Sequence, residues 1–297
     1  MRKWIQENGY SFKDTIMPMK INLAKTAGFC FGVKRAIDIA IETGRLGMQA
    51  YVLGDVVHNE DVARQINKHG IKKVRRLGPR KGKIFLVRAH GAGMSVLEKA
   101  KKYGYRIVDA TCPMVKEIHR IVIGNECKGY NIIVIGDKKH DEVQGIVGHV
   151  KGKAIVIDRL ENIPWEKIKR IKKACIVAQS TQNMDKVLEI VETLRPRLKE
   201  LKFFNTICRP TRIKQQEIKK MPGENDVMVI IGSKDSANTR RLYEISKSIN
   251  KRSYWVRSKQ EVKSDWFRNA ESVGITAGAS TPDATTREVI EYIKKVT

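Results

Sequence analysis

Three cysteines in the chain each follow an apolar run and stand at the start of a helical pattern. They lie in INLAKTAGFCFGVKRAIDIA (21–40), YRIVDATCPMVKEIHRI (105–121) and FFNTICRPTRIKQQEI (203–218), as Cys30, Cys112 and Cys208. A single thiol in such a place is usually a small buried hydrophobic group, because free cysteines are among the most buried residues. Three thiols in matched settings instead indicate chemistry, either as metal ligands or as a nucleophile.

A polar loop follows each of these cysteines at the same interval. The interval from Cys30 to His58 equals that from Cys112 to His140 and that from Cys208 to Ser236. A further polar loop follows in each case, and its residues are His90, then Ser180 with Thr181, then Ser280. Equal intervals of this kind predict an internal threefold repeat. Each unit would then contribute one cysteine and two polar loops.

Short apolar runs alternate with helical patterns along the whole chain. The runs are AYVLGD (50–55), IFLVRAHG (84–91), YRIVDAT (105–111), NIIVIGD (131–137), CIVAQS (175–180) and VMVIIGS (227–233). This alternation predicts βαβ units with parallel sheets, in which ligands bind at the carboxyl ends of the strands. We therefore expect an α/β fold of three similar units (19–111, 112–207 and 208–297) arranged with pseudo-threefold symmetry, so that three thiolates converge at the centre.

Three converging thiolates suit an iron-sulfur cluster. A 4Fe-4S cluster with three cysteine ligands leaves one iron free to act as a Lewis acid on a substrate oxygen. The chain has no CxxC pair, which excludes a local zinc ribbon or knuckle. Cys127 and Cys175 lack both the threonine-containing loop and a polar partner at the repeat interval, so we interpret them as core or surface thiols.

The chain is strongly basic, with 58 Lys and Arg against 32 Asp and Glu and a net charge of +26. Such a surface attracts nucleic acid, small anionic substrates or acidic proteins, and it is also compatible with a solvated lysine-rich exterior. Aromatic residues make up only 6% and do not alternate with the basic ones, which argues against base stacking. No apolar run approaches the roughly 20 residues that span a bilayer, and the first residues lack the apolar core of a signal peptide. We expect a cytoplasmic protein.

Two other functions fit parts of the sequence. A cysteine-nucleophile transferase would use Cys112 with a nearby histidine, but one cysteine and one base suffice for that chemistry, which leaves Cys30 and Cys208 unexplained. A basic nucleic-acid-binding protein with a structural cluster or zinc would need aromatic platforms or local pairs of metal ligands. Neither feature is present in the sequence.

Short motifs occur in a specific order from about Met19 to the end of the chain: AGFCFGVKRAI, VHNE, AHG, DATCP, the H-x-E-V-x-G loop at 140–145, NTIC, GSKDSAN and GITAGAS. Together they resemble the 4-hydroxy-3-methylbut-2-enyl diphosphate reductases, the family of the last enzyme of the non-mevalonate isoprenoid pathway. The resemblance implies a trefoil-like protein of three α/β domains around one 4Fe-4S cluster held by Cys30, Cys112 and Cys208. It also implies reductive removal of the substrate hydroxyl, with two electrons and two protons, to give isopentenyl and dimethylallyl diphosphate.

The resemblance also assigns roles to single residues. Glu142 corresponds to the acid that relays protons, with Asp141 and Glu60 as weaker candidates, and Thr181 to the threonine near the substrate hydroxyl. The residues that correspond to the walls of the substrate cavity and the diphosphate contacts are His58, His90, His140, Ser236, Ala237, Asn238 and Ser280. His69, His119 and His149 stand outside the repeat, and we interpret them as ordinary core or surface histidines.

The chain departs from the family pattern in three places. RPTRIKQQ follows NTIC where A-T-x-x-R-Q is usual, Ala237 replaces the second residue of a serine pair, and Ser180 replaces a threonine. At position 237 a phosphate contact would come from the backbone alone or be lost.

We expect an electron donor such as reduced ferredoxin or flavodoxin, because the basic surface is compatible with an acidic carrier protein. We expect neither a nucleic-acid nor a membrane partner. Residues 1–18 precede MKINLAKTAGFC, which reads like a complete N-terminus. We therefore expect the folded part to begin at Met17 or Met19, after a segment that is disordered or untranslated.

Overall fold

The computed structural model describes residues 19–297, so the prediction for residues 1–18 lies outside the described residues. The strands in this range are β1 (Lys20–Leu23), β2 (Ala50–Leu53), β3 (Ile71–Val74), β4 (Ile84–Val87), β5 (Arg106–Asp109), β6 (Asn131–Ile135), β7 (Ile155–Ile157), β8 (Lys173–Ala178), β9 (Glu200–Phe204), β10 (Val227–Ile231), β11 (Ser253–Val256) and β12 (Ser272–Ala277). The α-helices are α1 (Phe31–Arg45), α2 (Glu60–Lys68), α3 (Met94–Lys102), α4 (Pro113–Glu126), α5 (Asp141–Val147), α6 (Trp165–Ile168), α7 (Met184–Leu194), α8 (Arg209–Ile218), α9 (Ala237–Ile249) and α10 (Asp283–Val296).

The strands form three parallel sheets of four strands each. Their orders are β3-β2-β4-β5, β7-β6-β8-β9 and β11-β10-β12-β1. The three orders are equivalent, with one edge strand followed by a cysteine in every sheet. The predicted α/β class with three similar units is confirmed.

The first strand joins the last sheet. β1 pairs with β12 in a register that runs from Lys20 opposite Ser272 to Leu23 opposite Ile275. The third sheet therefore takes its fourth strand from the beginning of the chain, which ties the two ends of the described chain together. The boundaries at 111 and 207 stay predictions.

The central strands are apolar on both faces because helices cover both sides of each sheet. All residues of β4 (IFLV) and of β10 (VMVII) are buried. The helices place apolar residues towards these strands at helical spacing, as α1 does with the buried Ala36, Ile37 and Ala40. Truncating a fully buried strand residue such as Ile133 to alanine would cost about 2–5 kcal/mol of unfolding free energy.

Within residues 19–297, no helix is both long enough and apolar enough to cross a membrane.

Candidate functional site

Each of the three predicted cysteines is the N-cap residue of the helix that follows an edge strand. Cys30 precedes α1, Cys112 precedes α4 and Cys208 precedes α8. The carboxyl end of a parallel strand and the amino end of the next helix lie at the same edge of a sheet. The repeat in the sequence thus places three thiols at three equivalent edges.

The backbone ties each cysteine to the loop after the neighbouring strand. The N–H groups of Cys30, Cys112 and Cys208 donate to the carbonyl oxygens of Ala279 (3.1 Å), Ala89 (2.9 Å) and Ser180 (3.0 Å), respectively. The residues that follow these three acceptors are Ser280, His90 and Thr181. The second polar loop of each predicted unit, which holds His90, Thr181 or Ser280, therefore lies next to a cysteine, and the three positions are equivalent.

One cavity gathers residues from all three sheets and measures about 690 Å³ including its open mouth. Every residue predicted for the site lines it: Cys30, His58, His90, Cys112, His140, Glu142, Thr181, Cys208, Ser236, Ala237, Asn238 and Ser280. The structure thus brings together side chains that lie as far apart in the sequence as Cys30 and Ser280. This convergence places the thiols, imidazoles and carboxyl in one chamber.

Two residues beside the sulfur atoms were missed by the sequence analysis. A Cβ atom at Gly32 would stand 2.5 Å from Cys112 Sγ, so only glycine leaves room for that thiol. Thr211 Oγ1 lies 3.1 Å from Cys208 Sγ. Gly32 could have been found as a glycine inside a helical pattern directly after a candidate cysteine, and Thr211 lies in the segment that departs from the family pattern.

Burial raises the pKa of the Cys112 thiol and raises that of Cys208 to about 11. The neighbouring Cys30 and Glu142 shift both in the same direction, although the Met114 and Val115 N–H groups oppose the shift at Cys112. Such thiols stay protonated at neutral pH unless a cation compensates the charge of the thiolate. They are poor free nucleophiles and suitable metal ligands, because metal binding displaces the proton.

Three histidines form a compact cluster on one wall of the cavity. The ring centroids of His58 and His90 are 4.4 Å apart, and that of His140 lies 5.1 Å and 5.3 Å from them. One nitrogen atom from each ring lies within 4.8 Å of the others. His58 Nε2 and His90 Nδ1 are buried and have no hydrogen-bond partner among the described residues. His58 Nε2 faces Asp141 Oδ2 at 3.7 Å, whereas His90 Nδ1 has no such neighbour among the described residues and can serve a ligand that enters the cavity.

Burial lowers the pKa of all three imidazoles, that of His140 to about 4, and the neighbouring histidines lower those of His90 and His140 further. The rings are therefore neutral at pH 7. An anion beside them would favour protonation, since opposite charge stabilises the imidazolium. The cluster can thus gain donors and positive charge when an anion binds.

Polar contacts hold these rings in place. His140 Nδ1 accepts the Glu142 N–H at 3.1 Å and so caps α5, which leaves Nε2 as its other nitrogen. Ser280 Oγ donates to the carbonyl oxygen of His58 at 3.0 Å and joins the first and third units. Arg88 donates to Asp141 Oδ2 at 2.5 Å, and the same oxygen lies 3.7 Å from His58 Nε2. The rings are positioned before any ligand arrives.

Glu142 is the acid of the cavity, and only 1% of it is exposed. Burial raises its pKa, and hydrogen bonds from Ser180 oppose that shift. A carboxyl with a raised pKa retains a proton at higher pH than usual, which suits a proton donor. Asp141 is paired with Arg88 outside this cavity, and Glu60 is exposed.

The third unit supplies hydroxyl and amide groups at the start of α9. Ser236 is the N-cap, and its Oγ accepts the Thr239 N–H at 3.3 Å. Both polar atoms of the Asn238 side-chain amide are buried without a partner in the part of the chain that the structure describes. Across the cavity, Thr181 Oγ1 accepts from Gln179 Nε2 at 3.2 Å. A helix N-terminus with an unsatisfied amide is a suitable place for an anion.

The remaining cysteines and histidines lie outside the cavity lining. Cys127 is exposed at the end of α4, and Cys175 is buried in β8. His119 and His149 stack on each other with centroids 3.9 Å apart.

The chain is similar to a known family over nearly its full length. The family model described as "LytB protein" matches residues 21–294. The 4-hydroxy-3-methylbut-2-enyl diphosphate reductase of Geotalea uraniireducens (strain Rf4) is 37% identical over 278 residues, which is 94% of this chain and 98% of that protein. The enzyme of the same name from Aquifex aeolicus (strain VF5) is 39% identical over 280 residues, which is 93% of this chain and 96% of that protein.

Two solved structures share the fold. One, of (E)-4-hydroxy-3-methyl-but-2-enyl diphosphate reductase, described as the terminal enzyme of the non-mevalonate pathway, is 38% identical with a TM-score of 0.69. The match covers 93% of this chain and 99% of that one. The other, of the E-1-hydroxy-2-methyl-but-2-enyl-4-diphosphate reductase from Plasmodium falciparum, is 28% identical with a TM-score of 0.85, covering 93% of this chain and 88% of that one.

Proposed function

The chain belongs to the LytB protein family, and we propose that it reduces (E)-4-hydroxy-3-methylbut-2-enyl diphosphate in the terminal step of the non-mevalonate pathway. The substrate takes up two electrons and two protons, its hydroxyl leaves as water, and isopentenyl and dimethylallyl diphosphate are formed. The observation that carries the proposal is the convergence of three cysteines, three histidines and Glu142 on one cavity.

Cys30, Cys112 and Cys208 hold one 4Fe-4S cluster in this proposal. Three thiols at equivalent helix N-termini, around a space that Gly32 keeps open beside Cys112 Sγ, fit such a ligand set. When bound, the cluster supplies electron transfer and a Lewis-acidic iron. The cysteines contribute the thiolates, and the N-terminal N–H groups of α4 and α8 favour their negative charge.

The diphosphate lies between the histidine cluster and the start of α9. His58, His90 and His140 donate to its oxygens and gain protons as its charge approaches. Asn238 supplies an amide that has no other partner among the described residues, and Ser236 and Ser280 add hydroxyl groups. The backbone alone contributes at position 237. Several donors on one anion fix its position and so place the reacting end of the substrate in the cavity.

Glu142 delivers protons in this proposal. Its carboxyl lies in the same cavity and has a raised pKa, and Ser180 fixes the orientation of both its oxygen atoms. Its proton goes to the leaving hydroxyl, and the carboxylate that results takes up a second proton from solvent and passes it to the allylic carbon. Thr181, next to Ser180, lies near the substrate hydroxyl. A neutral carboxyl beside an anionic substrate avoids the repulsion that a carboxylate would add.

The electrons come from outside the chain, from a reduced ferredoxin or flavodoxin. The net charge of +26 favours encounter with such acidic carriers. Neither a membrane nor a nucleic acid takes part, and the enzyme works in the cytoplasm.

The test is purification without oxygen, followed by iron and sulfide analysis and an assay of reduced methyl viologen with the diphosphate substrate. We expect four iron and four sulfide per chain, from the cluster type proposed, and dye oxidation that depends on substrate. A folded protein that contains no iron after anaerobic reconstitution, or a loaded protein inert towards the diphosphate, would refute the proposal.

A further inference from the structure

A basic residue stands at the same position in each of the three cysteine-bearing helices. It is the fourth residue after the cysteine, and the three are Lys34, Lys116 and Arg212. The N–H of each donates to the carbonyl oxygen of its cysteine at 3.0 Å and so closes the first helical turn. At a rise of 1.5 Å per residue, each basic residue therefore lies about 6 Å along the helix axis from a proposed cluster ligand.

The starts of these helices lack the acidic residues that usually occur there. α1, α4 and α8 have no Asp or Glu in the first turn, as is also true of α3 and α9, whereas α2, α5, α6, α7 and α10 each have at least one. Acidic side chains in the first turn offset the positive end of the helix dipole. Where these acidic residues are absent, the partial positive charge of the helix N-terminus is not offset. It then adds to the positive charge of the basic side chains.

Lys34 and Arg212 are exposed, and Lys116 is half-buried and pairs with Asp109 at 2.7 Å. The surface around the three cysteines is thus positive, with one of its three basic residues partly neutralised.

Each of the three helices also exposes a large apolar side chain near its start. Phe31 follows Cys30 directly and is 71% exposed, and Ile213 is 39% exposed. Met114 is 48% exposed and also lines the cavity, so it stands where this surface meets the cavity. Each lies on the first or second turn of its cysteine-bearing helix. Phe31 and Lys34 lie three residues apart on α1 and are therefore neighbours on its surface. Exposed apolar groups beside positive charge are typical of a protein interface with an apolar centre and a charged rim.

We propose that this surface, formed by Phe31, Lys34, Met114, Lys116, Arg212 and Ile213 and called here the docking face, binds an acidic one-electron carrier protein. The inference rests on the proposed function, because the reduction needs two electrons that the chain does not hold. Two reduced carriers each give up one electron and are oxidised, which supplies the two electrons of the reduction; the adjacent cysteines would hold the cluster that provides electron transfer. The positive rim steers the acidic partner, and Phe31 packs against its apolar surface.

The experiment reverses the charge of the two exposed basic residues in the holoenzyme. The variant is Lys34→Glu with Arg212→Glu, and the matched control is Lys101→Glu with Lys102→Glu, two exposed lysines near the end of α3. Each protein is loaded anaerobically and assayed with reduced acidic ferredoxin and, separately, with saturating reduced methyl viologen. Iron content and thermal unfolding show whether each variant is folded and loaded.

We expect the KM for reduced ferredoxin to rise at least tenfold in the docking-face variant at low salt, with the difference shrinking as salt rises. The viologen-driven rate should stay within about twofold, because a small dye needs no docking face. A ferredoxin KM equal to that of the control would overturn the inference. Equal losses with ferredoxin and dye would also overturn it, since they would place the effect at the cluster.

A second variant, Phe31→Ala, tests the apolar centre without a change of charge. We expect a several-fold higher KM for ferredoxin that does not depend on salt, at an unchanged viologen rate. If either variant instead alters the sedimentation of the free enzyme and leaves the ferredoxin KM unchanged, the face binds a second copy of the chain and the inference is wrong. A wild-type enzyme inert to both donors would refute the proposed function itself, which is a separate outcome.

Discussion

Ser180 donates two hydrogen bonds to Glu142, from its backbone N–H to Oε1 at 2.6 Å and from its hydroxyl to Oε2 at 2.8 Å. Both residues are buried. The same Ser180 offers its carbonyl oxygen to the N–H of Cys208 at 3.0 Å. One residue therefore links the proposed proton donor to a proposed cluster ligand, so the acid and the cluster keep a fixed relation.

We expect Glu142→Gln to reduce turnover by at least a hundredfold, since general acid catalysis contributes typically 10²–10⁴-fold. The amide retains the size of the carboxyl but cannot deliver a proton, so iron content and substrate binding should remain near wild type. The measurement is the rate of viologen oxidation under anaerobic conditions. Ser180→Ala is the companion variant, with a smaller loss because the backbone N–H still orients the carboxyl. Wild-type rates in Glu142→Gln would exclude the proton-donor role.

The Cys112→Ser protein should lose the cluster. The iron of such clusters prefers thiolate ligands, and a serine hydroxyl is a poor substitute. The measurement is iron per chain after anaerobic reconstitution, together with the visible absorbance of the cluster. Cys127→Ser is the matched control, since Cys127 is exposed at the far end of the same helix. The control should load fully, and a fully loaded Cys112→Ser protein would remove Cys112 from the ligand set.

Stability should fall with acidification through the histidine cluster. Burial lowers the pKa of His140 in the folded protein to about 4, below its ordinary value of 6.5. The folded state thus binds fewer protons than the unfolded state, so the contribution is fully present above pH 6.5 and is lost as pH falls towards 4. Protonation also removes the Nδ1 acceptor that caps α5.

The pH effect is measured by urea unfolding between pH 7.5 and 5.5. A single titrating group can change the unfolding free energy by at most about 1.4 kcal/mol per pH unit. His140→Asn should flatten this slope, because asparagine can cap the helix without titrating. A slope in His140→Asn equal to that of the wild type would show that His140 does not titrate with unfolding.

Lys214 holds the loop that carries Cys30. Its ammonium donates to the carbonyl oxygens of Thr26 and Ala277, and Glu217 of the same helix accepts the N–H groups of Lys25 and Thr26. Only 3% of Lys214 is exposed, and burial lowers its pKa to about 8, so it is mostly protonated at neutral pH. The helix that begins at Cys208 thereby positions Cys30.

We expect Lys214→Met to lower the unfolding free energy by about 1–3 kcal/mol, since it leaves two buried carbonyl oxygens without this donor. Lys214→Arg should recover a large part of that loss, because it keeps the charge and the donors. Urea unfolding measures both, and Lys219→Met, an exposed position at the end of α8, serves as the control. A Lys214→Met protein as stable as the control would show that the loop is held without the ammonium.

The roles of Glu142, Ala237 and Asn238 came from the resemblance to a known family. The α/β class and the threefold repeat, with its cysteines and polar loops, followed from the pattern of residues alone. These features are encoded locally: apolar runs form the strands, and a cysteine with a polar loop at a fixed interval after it recurs in each unit. Equivalent local sequences fold into equivalent strand ends. This is why His58, His140 and Ser236 could be placed together before any contact was known.

The tertiary structure alone decided how the units meet. β1 belongs to the third sheet because its backbone pairs with β12, near the opposite end of the chain, and no local pattern specifies that pairing. The glycine at position 32 makes room for Cys112 Sγ across the boundary between the first and second units, and Arg88 engages Asp141 across the same boundary. Such contacts depend on shape and charge between surfaces that are distant in the chain. The sequence therefore determined which groups can react, and the packing of the three units determined the distances at which they meet.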